Sequence, residues 1–129
     1  MMDSDQAIRA LVALRGAVGA GAWIAPRLSA RLFGLDPVGN PQAPYLGRLF
    51  GVRDVALAVG LNSSSGAERS QWLRLGLACD LADAVAGLFA GRRGELPPAA
   101  GVLVTGTALT AAGLGAIALR GEQQPPPAV

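Results

Sequence analysis

The sequence reads GRLFGVRDVALAVG from Gly47 to Gly60, an apolar stretch with an arginine and an aspartate side by side near its middle. This stretch is typical of a hydrophobic helix that carries two charges, Arg53 and Asp54. Because removing an unpaired ion from water is costly, charged side chains in an apolar helix are expected to have partners. We therefore expect this helix to belong to a bundle in which its charges meet charges from other helices.

Four helices of near-bilayer length are predicted along the chain. They run from Ile8 to Ala25, from Pro44 to Leu61, from Glu68 to Gly91 and from Ala99 to Leu119. A helix needs about 17–25 mostly apolar residues to cross a membrane, and each of these stretches approaches that length. The fold class predicted from the sequence is therefore all-α, a four-transmembrane-helix bundle.

The segment after the first helix, from Pro26 to Leu35, has a different pattern. Arg27 and Arg31 lie four residues apart, and leucines and a phenylalanine supply apolar positions. This pattern predicts a short amphipathic interfacial helix after helix 1, and a simple solvated connection is the alternative. Residues 1–120 are predicted to form a single four-helix membrane domain. Residues 121–129, which are polar and rich in proline, are predicted to be a disordered tail.

Composition narrows the classes to which the protein can belong. Its 129 residues are 51% apolar and 16% charged, with a mean hydropathy of +0.39, which is hydrophobic for a soluble domain. The net charge of +2 comes with scattered arginines, so no nucleic-acid partner is expected. The lack of histidine excludes a histidine base or histidine metal ligands, and no cofactor motif is visible. We expect a multi-pass protein of the cell membrane with neither metal nor cofactor; a soluble alanine-rich bundle with a paired-charge core is the alternative.

The third long helix sorts into two faces when its residues are placed about 100° apart. The face predicted to point into the bundle combines small and charged residues: Gly76, Cys79, Asp80, Asp83 and Gly87. The face predicted to contact lipid is made of larger apolar residues: Leu77, Leu81, Val85 and Leu88.

The other helices carry stripes of small residues that would let their backbones approach closely. These stripes are Arg15, Gly19 and Ala22 on the first helix, Gly47, Gly51, Asp54 and Ala58 on the second, and Gly101, Thr105, Ala108, Ala112 and Gly115 on the fourth. Together they predict that Arg15, Asp54, Asp80 and Asp83 converge. Arg53 points away from the Asp54 stripe on an ideal helix, so it is expected to contact another neighbour, to snorkel, or to mark a distortion.

Two roles are open for these charges, because intramembrane ionisable residues either hold helices together or line a polar cavity. The candidate catalytic residues are Asp80, Asp83 and Asp54, and the candidate binding residues are Arg15, Arg53, Cys79 and Trp72. Cys79 is also explained as a small packing residue. The spacing Asp80-x-x-Asp83 resembles carboxylate pairs that hold Mg²⁺ against a diphosphate, but the pair lies at mid-helix depth and the pattern is short, so we expect no metal.

The leading functional hypothesis is a small integral membrane protein whose buried Arg/Asp cluster lines a cavity for a lipophilic small molecule. In its sharper form the protein is a cofactor-independent isomerase or cyclase, since burial favours the protonated form of an aspartate, which can then act as general acid. The alternative is a structural or assembly subunit of a membrane complex, with the charges as interhelical glue. A proton or solute pathway would require an oligomer. The expected partners are the lipid bilayer, a lipophilic substrate, and a second copy or a partner membrane protein.

The run GRLFGVRD from Gly47 to Asp54, followed by a helix with Asp80 and Asp83 and a fourth helix rich in Gly, Ala and Thr, resembles a known family. It is a family of small four-helix bacterial membrane proteins, actinobacterial in type and of unknown function, distantly similar to the DoxX-like group. The resemblance covers residues 8–119, and Gly51-x-Arg53-Asp54 is its most specific part. It implies a four-helix membrane fold and no established activity, so it assigns no catalytic role.

Overall fold

The computed structural model describes residues 1–124, which form five helices. These are α1 (Ser4–Ile24), α2 (Pro26–Leu32), α3 (Ala43–Ser63), α4 (Gly66–Arg92) and α5 (Pro98–Gln123). The all-α prediction is confirmed, and each predicted helix is present with its ends shifted by a few residues. The predicted tail begins too early, because residues 121–123 continue α5. Residues 125–129 of that tail lie outside the described part of the chain.

The helix ends follow from local sequence. Asp3 accepts a hydrogen bond from the backbone N–H of Gln6 at 2.7 Å, and the side chain of Gln6 accepts one from the backbone of Asp3 at 3.1 Å. This reciprocal pair is a capping box that begins α1. Proline lies in the first turn of α2, α3 and α5, where a missing N–H costs nothing. Gly34, with φ of +77°, follows the end of α2, a conformation that favours glycine.

The four long helices run up and down, in the order α3, α1, α5, α4 around the bundle. At one end the start of α1 lies beside the end of α5, where Ser4 Oγ donates a hydrogen bond to the carbonyl of Ala118 at 3.0 Å. The largest helix pairings are α4 with α5 and α1 with α3, and the smallest pairing between neighbouring long helices is α3 with α4. The main apolar core lies near this same end and consists of Ala7, Ile8, Leu11, Leu61, Leu73, Ala111, Ala118 and Leu119.

Glycines set the two large pairings. A Cβ atom built on Gly19 would lie 2.7 Å from the carbonyl oxygen of Gly51, and one built on Gly51 would lie 2.6 Å from that of Gly19. Between α4 and α5, a Cβ on Gly87 would lie 2.6 Å from Oγ1 of Thr105. At the crossing of α1 and α3 no side chain fits between the backbones, so the predicted small-residue stripes of these two helices do bring their backbones together. At Gly87 a side chain would instead meet the side chain of Thr105.

Three of the four residues predicted to contact lipid lie on the outer face of α4, and the contact with lipid itself stays a prediction. Leu81, Val85 and Leu88 are exposed on the surface of the bundle. The prediction is wrong for Leu77, which is half-buried and packs against the apolar core. The reason is the approach of α5, since a Cβ on Gly115 would lie 3.9 Å from the Cβ of Leu77.

Among the described residues, α1 and α5 are long and apolar enough to cross a membrane. The predicted four spans are thus supported by length and composition for two helices and not for four. The difference comes from charge, because α3 contains Arg48, Arg53 and Asp54. Helix α4 likewise contains Asp80 and Asp83 in its middle, together with charged residues nearer its ends.

Candidate functional site

Five side chains from three helices form a single charged cluster halfway along the bundle. We define the charged cluster as Arg15 of α1, Arg53 and Asp54 of α3, and Asp80 and Asp83 of α4. The predicted convergence of Arg15, Asp54, Asp80 and Asp83 is confirmed, and each aspartate of α4 pairs with an arginine from another helix. A network of this kind satisfies charges that would be costly if buried alone.

Arg15 is the buried centre of the charged cluster. Its Nη2 donates a hydrogen bond to Oδ2 of Asp80 at 2.6 Å, and its Nη1 lies 3.8 Å from Oδ1 of Asp54. The exposed fraction is 3% for Arg15 and Asp80 and 6% for Asp54. Gly76 makes room for the guanidinium, since a Cβ there would lie 2.7 Å from Nη2 of Arg15. The glycine at this position of α4 therefore leaves the space that the Arg15 guanidinium occupies.

Arg53 crosses from α3 to α4. Its two terminal nitrogens donate to the two carboxylate oxygens of Asp83, at 3.0 Å and 2.5 Å, in the forked geometry that favours arginine. Nη2 also donates to Oδ1 of Asp54 at 3.2 Å, and the guanidinium lies 4.7 Å from the centre of the Phe50 ring. Of the three possibilities predicted for Arg53, contact with another neighbour is thus confirmed, because Arg53 pairs with Asp83. The additional contact with Asp54 was not expected from an ideal helix.

A cavity of about 470 Å³ extends from the charged cluster toward the end of the bundle where α1 ends. This size is within the range of about 300–1,000 Å³ that is usual for small-molecule sites. The four long helices contribute its apolar walls, which include Leu14 and Val18 of α1, Leu46 and Phe50 of α3, Ala86 and Ala90 of α4, and Val104 and Ala108 of α5. The charged cluster forms its polar inner end.

The α1–α3 connection covers the outer end of the cavity. Helix α2 and the loop behind it contribute Ser29, Phe33 and Leu35 to the lining. The loop reaches across to α5, because a Cβ on Gly34 would lie 3.1 Å from the backbone nitrogen of Ala100. The connection therefore spans the bundle from the α1–α3 pair to the α4–α5 pair at that end of the cavity.

The structure brings some of the predicted site residues together and separates others. Arg15, Asp54, Asp80 and Asp83 line the cavity, whereas Arg53 supports two of these carboxylates from outside the lining. Two predicted binding residues are elsewhere. Trp72 packs directly over Gly60 at the opposite end of the bundle, where a Cβ would collide with its ring. Cys79 is half-buried and is not part of the cavity wall.

The apolar walls were not predicted as part of a site. Leu46, Phe50 and Arg53 follow one another at helical spacings of four and three residues, and Leu46 and Phe50 line the cavity. This helical spacing was the feature of the sequence that could have predicted a cavity wall. Residues that face lipid have the same spacing, so the two cannot be told apart until the position of α4 is known.

No family model, no curated protein and no solved structure matches this chain. The resemblance carried by Gly51-x-Arg53-Asp54 therefore stays a prediction. The site itself combines apolar walls with an inner end made of carboxylates and guanidinium groups. Such a cavity is suited to a molecule with an apolar body and one polar group, because each part then meets surroundings of its own kind.

Proposed function

We propose that this protein is a small multi-pass membrane protein that binds a lipophilic small molecule in the cavity, with the polar group of the ligand at the charged cluster. The observation that carries the proposal is the position of the charged cluster at the inner end of an apolar cavity. Charges that only hold helices together would need to be paired, but they would not need a cavity beside them. A cavity of about 470 Å³ beside the charges is the feature that a binding site requires.

The surface of the bundle supports a location in the membrane. Large apolar side chains are exposed on all four long helices, and they are more numerous than the singly scattered apolar residues that are normal on a soluble protein. They include Trp23 and Ile24 of α1, Leu49, Val52 and Val59 of α3, Leu75, Leu81, Val85, Leu88 and Phe89 of α4, and Val102, Leu103 and Leu109 of α5. In water this surface would favour aggregation, whereas in a bilayer it would contact lipid.

The charges of α3 and α4 are compatible with that location. Asp54 and Asp80 are buried inside the bundle, and Arg53 and Asp83 are paired with each other. A charge at the centre of a membrane helix costs about 2.5–3.5 kcal/mol on insertion scales when it has no partner. Pairing within the folded bundle offsets this cost, so α3 and α4 are proposed as the second and third spans beside α1 and α5.

Helix α2 supports the same arrangement at the membrane surface. Leu28 and Leu32 are exposed, and so are Arg27 and Arg31 of the same helix. A short helix with both kinds of side chain fits the interface between the headgroups and the acyl chains. We propose that α2 lies there, above the outer end of the cavity.

Access to the cavity is proposed to run between α3 and α4, directly from the bilayer. Within the described residues this is the smallest interface between neighbouring long helices, and Leu46, Phe50 and Ala86 are exposed while also lining the cavity. The Arg53–Asp83 pair bridges the two helices at the inner limit of this opening. A lipophilic molecule would then reach the site without leaving the apolar phase.

An acid–base reaction is the extension of this proposal. A protonated carboxyl among Asp54, Asp80 and Asp83 would give its proton to one carbon of a double bond and leave a cation at the other carbon. A neighbouring carboxylate would then accept a proton from the next carbon along, the one bonded to the cationic carbon. The double bond would move, the cluster would end with the same number of protons, and no cofactor would be consumed. This chemistry is an isomerisation, and attack by a second double bond in the same ligand on the cation would make it a cyclisation.

The test of the binding proposal is native mass spectrometry of the protein purified in a mild detergent. Wild-type protein is expected to carry a small lipophilic molecule. The variant Ala86→Phe, which fills the cavity, should lose it. Ala82→Phe is the matched control, because Ala82 lies one turn earlier on the exposed surface of α4 and outside the cavity. This control should retain the ligand.

Two results would contradict the proposal. Equal retention by both variants would show that the molecule binds on the outer surface. Copurification of another membrane protein in stoichiometric amount, without any small molecule, would instead favour a structural or assembly subunit whose charges only hold its helices together.

A further inference from the structure

The charged cluster is not electrically balanced. It contains three carboxyl groups, of Asp54, Asp80 and Asp83, and two guanidinium groups, of Arg15 and Arg53. When all five are ionised, one negative charge remains in excess. In water such an excess is trivial, but beside an apolar cavity it is costly, because little solvent is present to stabilise it. The excess charge therefore favours a positive group that joins the cluster, either a proton on one of the carboxyl groups or a cation on the ligand.

The part of the charged cluster that lines the cavity has a larger share of carboxyl groups than the charged cluster as a whole. All three carboxyl groups line the cavity, whereas Arg53 does not and contacts the Phe50 ring instead. The guanidinium of Arg15 does line it and donates to Asp80, so three carboxyl groups share the cavity with one guanidinium group. A ligand at the inner end thus meets mainly carboxylate oxygens.

The other described residues that line the cavity carry no charge that would offset the excess negative charge. Among the described residues, the other polar side chains of the cavity are the neutral Ser29, Asn40 and Thr107. The hydroxyl of Thr107 already donates to the carbonyl of Leu103 at 2.8 Å. An anionic group in the cavity would be repelled by three carboxylates, whereas a cation would find a charge-assisted partner in each of them.

We infer that the polar group of the ligand is a cation, such as a protonated amine, attached to an apolar body. This inference rests on the proposed function and narrows its ligand class. It places the cation among the oxygens of Asp54, Asp80 and Asp83 and the apolar body along the walls formed by residues such as Phe50 and Ala108. The same charges would disfavour carboxylic acids and phosphate esters as ligands.

The test uses three probes that share one compact apolar cage and differ only in the polar group: aminoadamantane, adamantanol and adamantane carboxylate. Their binding to the wild-type protein is measured by isothermal titration calorimetry in a mild non-ionic detergent at neutral pH. The amine is expected to bind about tenfold more tightly than the alcohol, since hydrogen bonds to charged groups are the stronger kind. The carboxylate is expected to bind most weakly.

A pair of variants assigns the preference to the charged cluster. Asp83→Asn removes the excess charge, so the advantage of the amine over the alcohol should disappear while the alcohol still binds. Glu95→Gln removes the same charge from the exposed α4–α5 connection, outside the main cavity, and should keep the advantage. The ranking of the three probes on wild-type protein decides the inference even if Asp83→Asn fails to fold.

The remaining outcomes overturn either the cationic ligand alone or the proposed function together with it. Equal binding of amine and alcohol, or a preference for the carboxylate, would overturn the cationic ligand and leave the lipophilic cavity supported. An amine preference that persists in Asp83→Asn would also overturn it, because the charged cluster would not be its source. Binding of none of the three cages would overturn the proposed function together with the inference.

Discussion

Nη2 of Arg15 lies 2.6 Å from Oδ2 of Asp80, and both residues are 3% exposed, so this hydrogen-bonded ion pair joins α1 to α4 across the bundle. The two helices do not otherwise form one of the major pairings of the fold. The pair therefore connects the α1–α3 half to the α4–α5 half from inside. Breaking this buried pair is therefore expected to lower the free energy of unfolding more than breaking a pair on the surface.

Arg15→Met is expected to lower the free energy of unfolding by about 3–5 kcal/mol, because Asp80 is left buried without its partner. The double variant Arg15→Met/Asp80→Leu removes both charges and is expected to recover much of this loss. The measurement is thermal or denaturant unfolding in detergent. The exposed Arg93–Glu95 pair, with 4.0 Å between its charged atoms, provides the control, and Arg93→Met should change stability by no more than about 1 kcal/mol. A double variant less stable than Arg15→Met would contradict the expectation.

Gly19→Ala is expected to destabilise the protein by about 1–3 kcal/mol, because the added methyl group would be forced against the backbone of Gly51. Gly16→Ala is the matched control on the same helix. A Cβ at Gly16 meets nothing within 4 Å, so the substitution should be neutral or stabilising by up to about 1 kcal/mol. Unfolding of the two variants side by side checks the prediction, and a similar effect at both positions would mean that α1 and α3 are farther apart than described.

Single cysteines introduced at Leu81, Val85 and Leu88 are expected to react with lipid-soluble maleimides and to resist water-soluble ones. These positions form the exposed face of α4, and the native Cys79 is replaced by serine to remove the background. Arg93→Cys, at the exposed position that directly follows α4, should react with the water-soluble reagent. Efficient water-soluble labelling along the whole face would place α4 outside the bilayer.

The protein is expected to remain in the membrane pellet after extraction with alkaline carbonate, because its exposed apolar surface would contact lipid. The measurement is an immunoblot of pellet and supernatant, with a peripheral membrane protein of the same cells as the control that is released. Recovery of this protein in the supernatant would instead favour a soluble alanine-rich bundle whose core is paired through the charged cluster.

Much of the fold was predictable, because helix formation depends on local pattern. The prolines at the first turns and the capping residues before α1 place the helix boundaries within a few residues. The periodicity of α4 separates the buried Asp80 from the exposed Val85. The stripes of small residues indicate where helices touch, since only glycine-sized side chains allow backbone contact.

The sequence by itself determined that the charges must pair, because an isolated ion inside an apolar bundle is too costly. Only the tertiary structure decided which charges do so. The choice of Asp80 for Arg15 and of Asp83 for Arg53 depends on the rotation and height of α4 against α1 and α3, set by the packing of all the helices at once. The cavity arises in the same way, since a space between α3 and α4 is a property of how far two helices diverge and is encoded in neither of them alone.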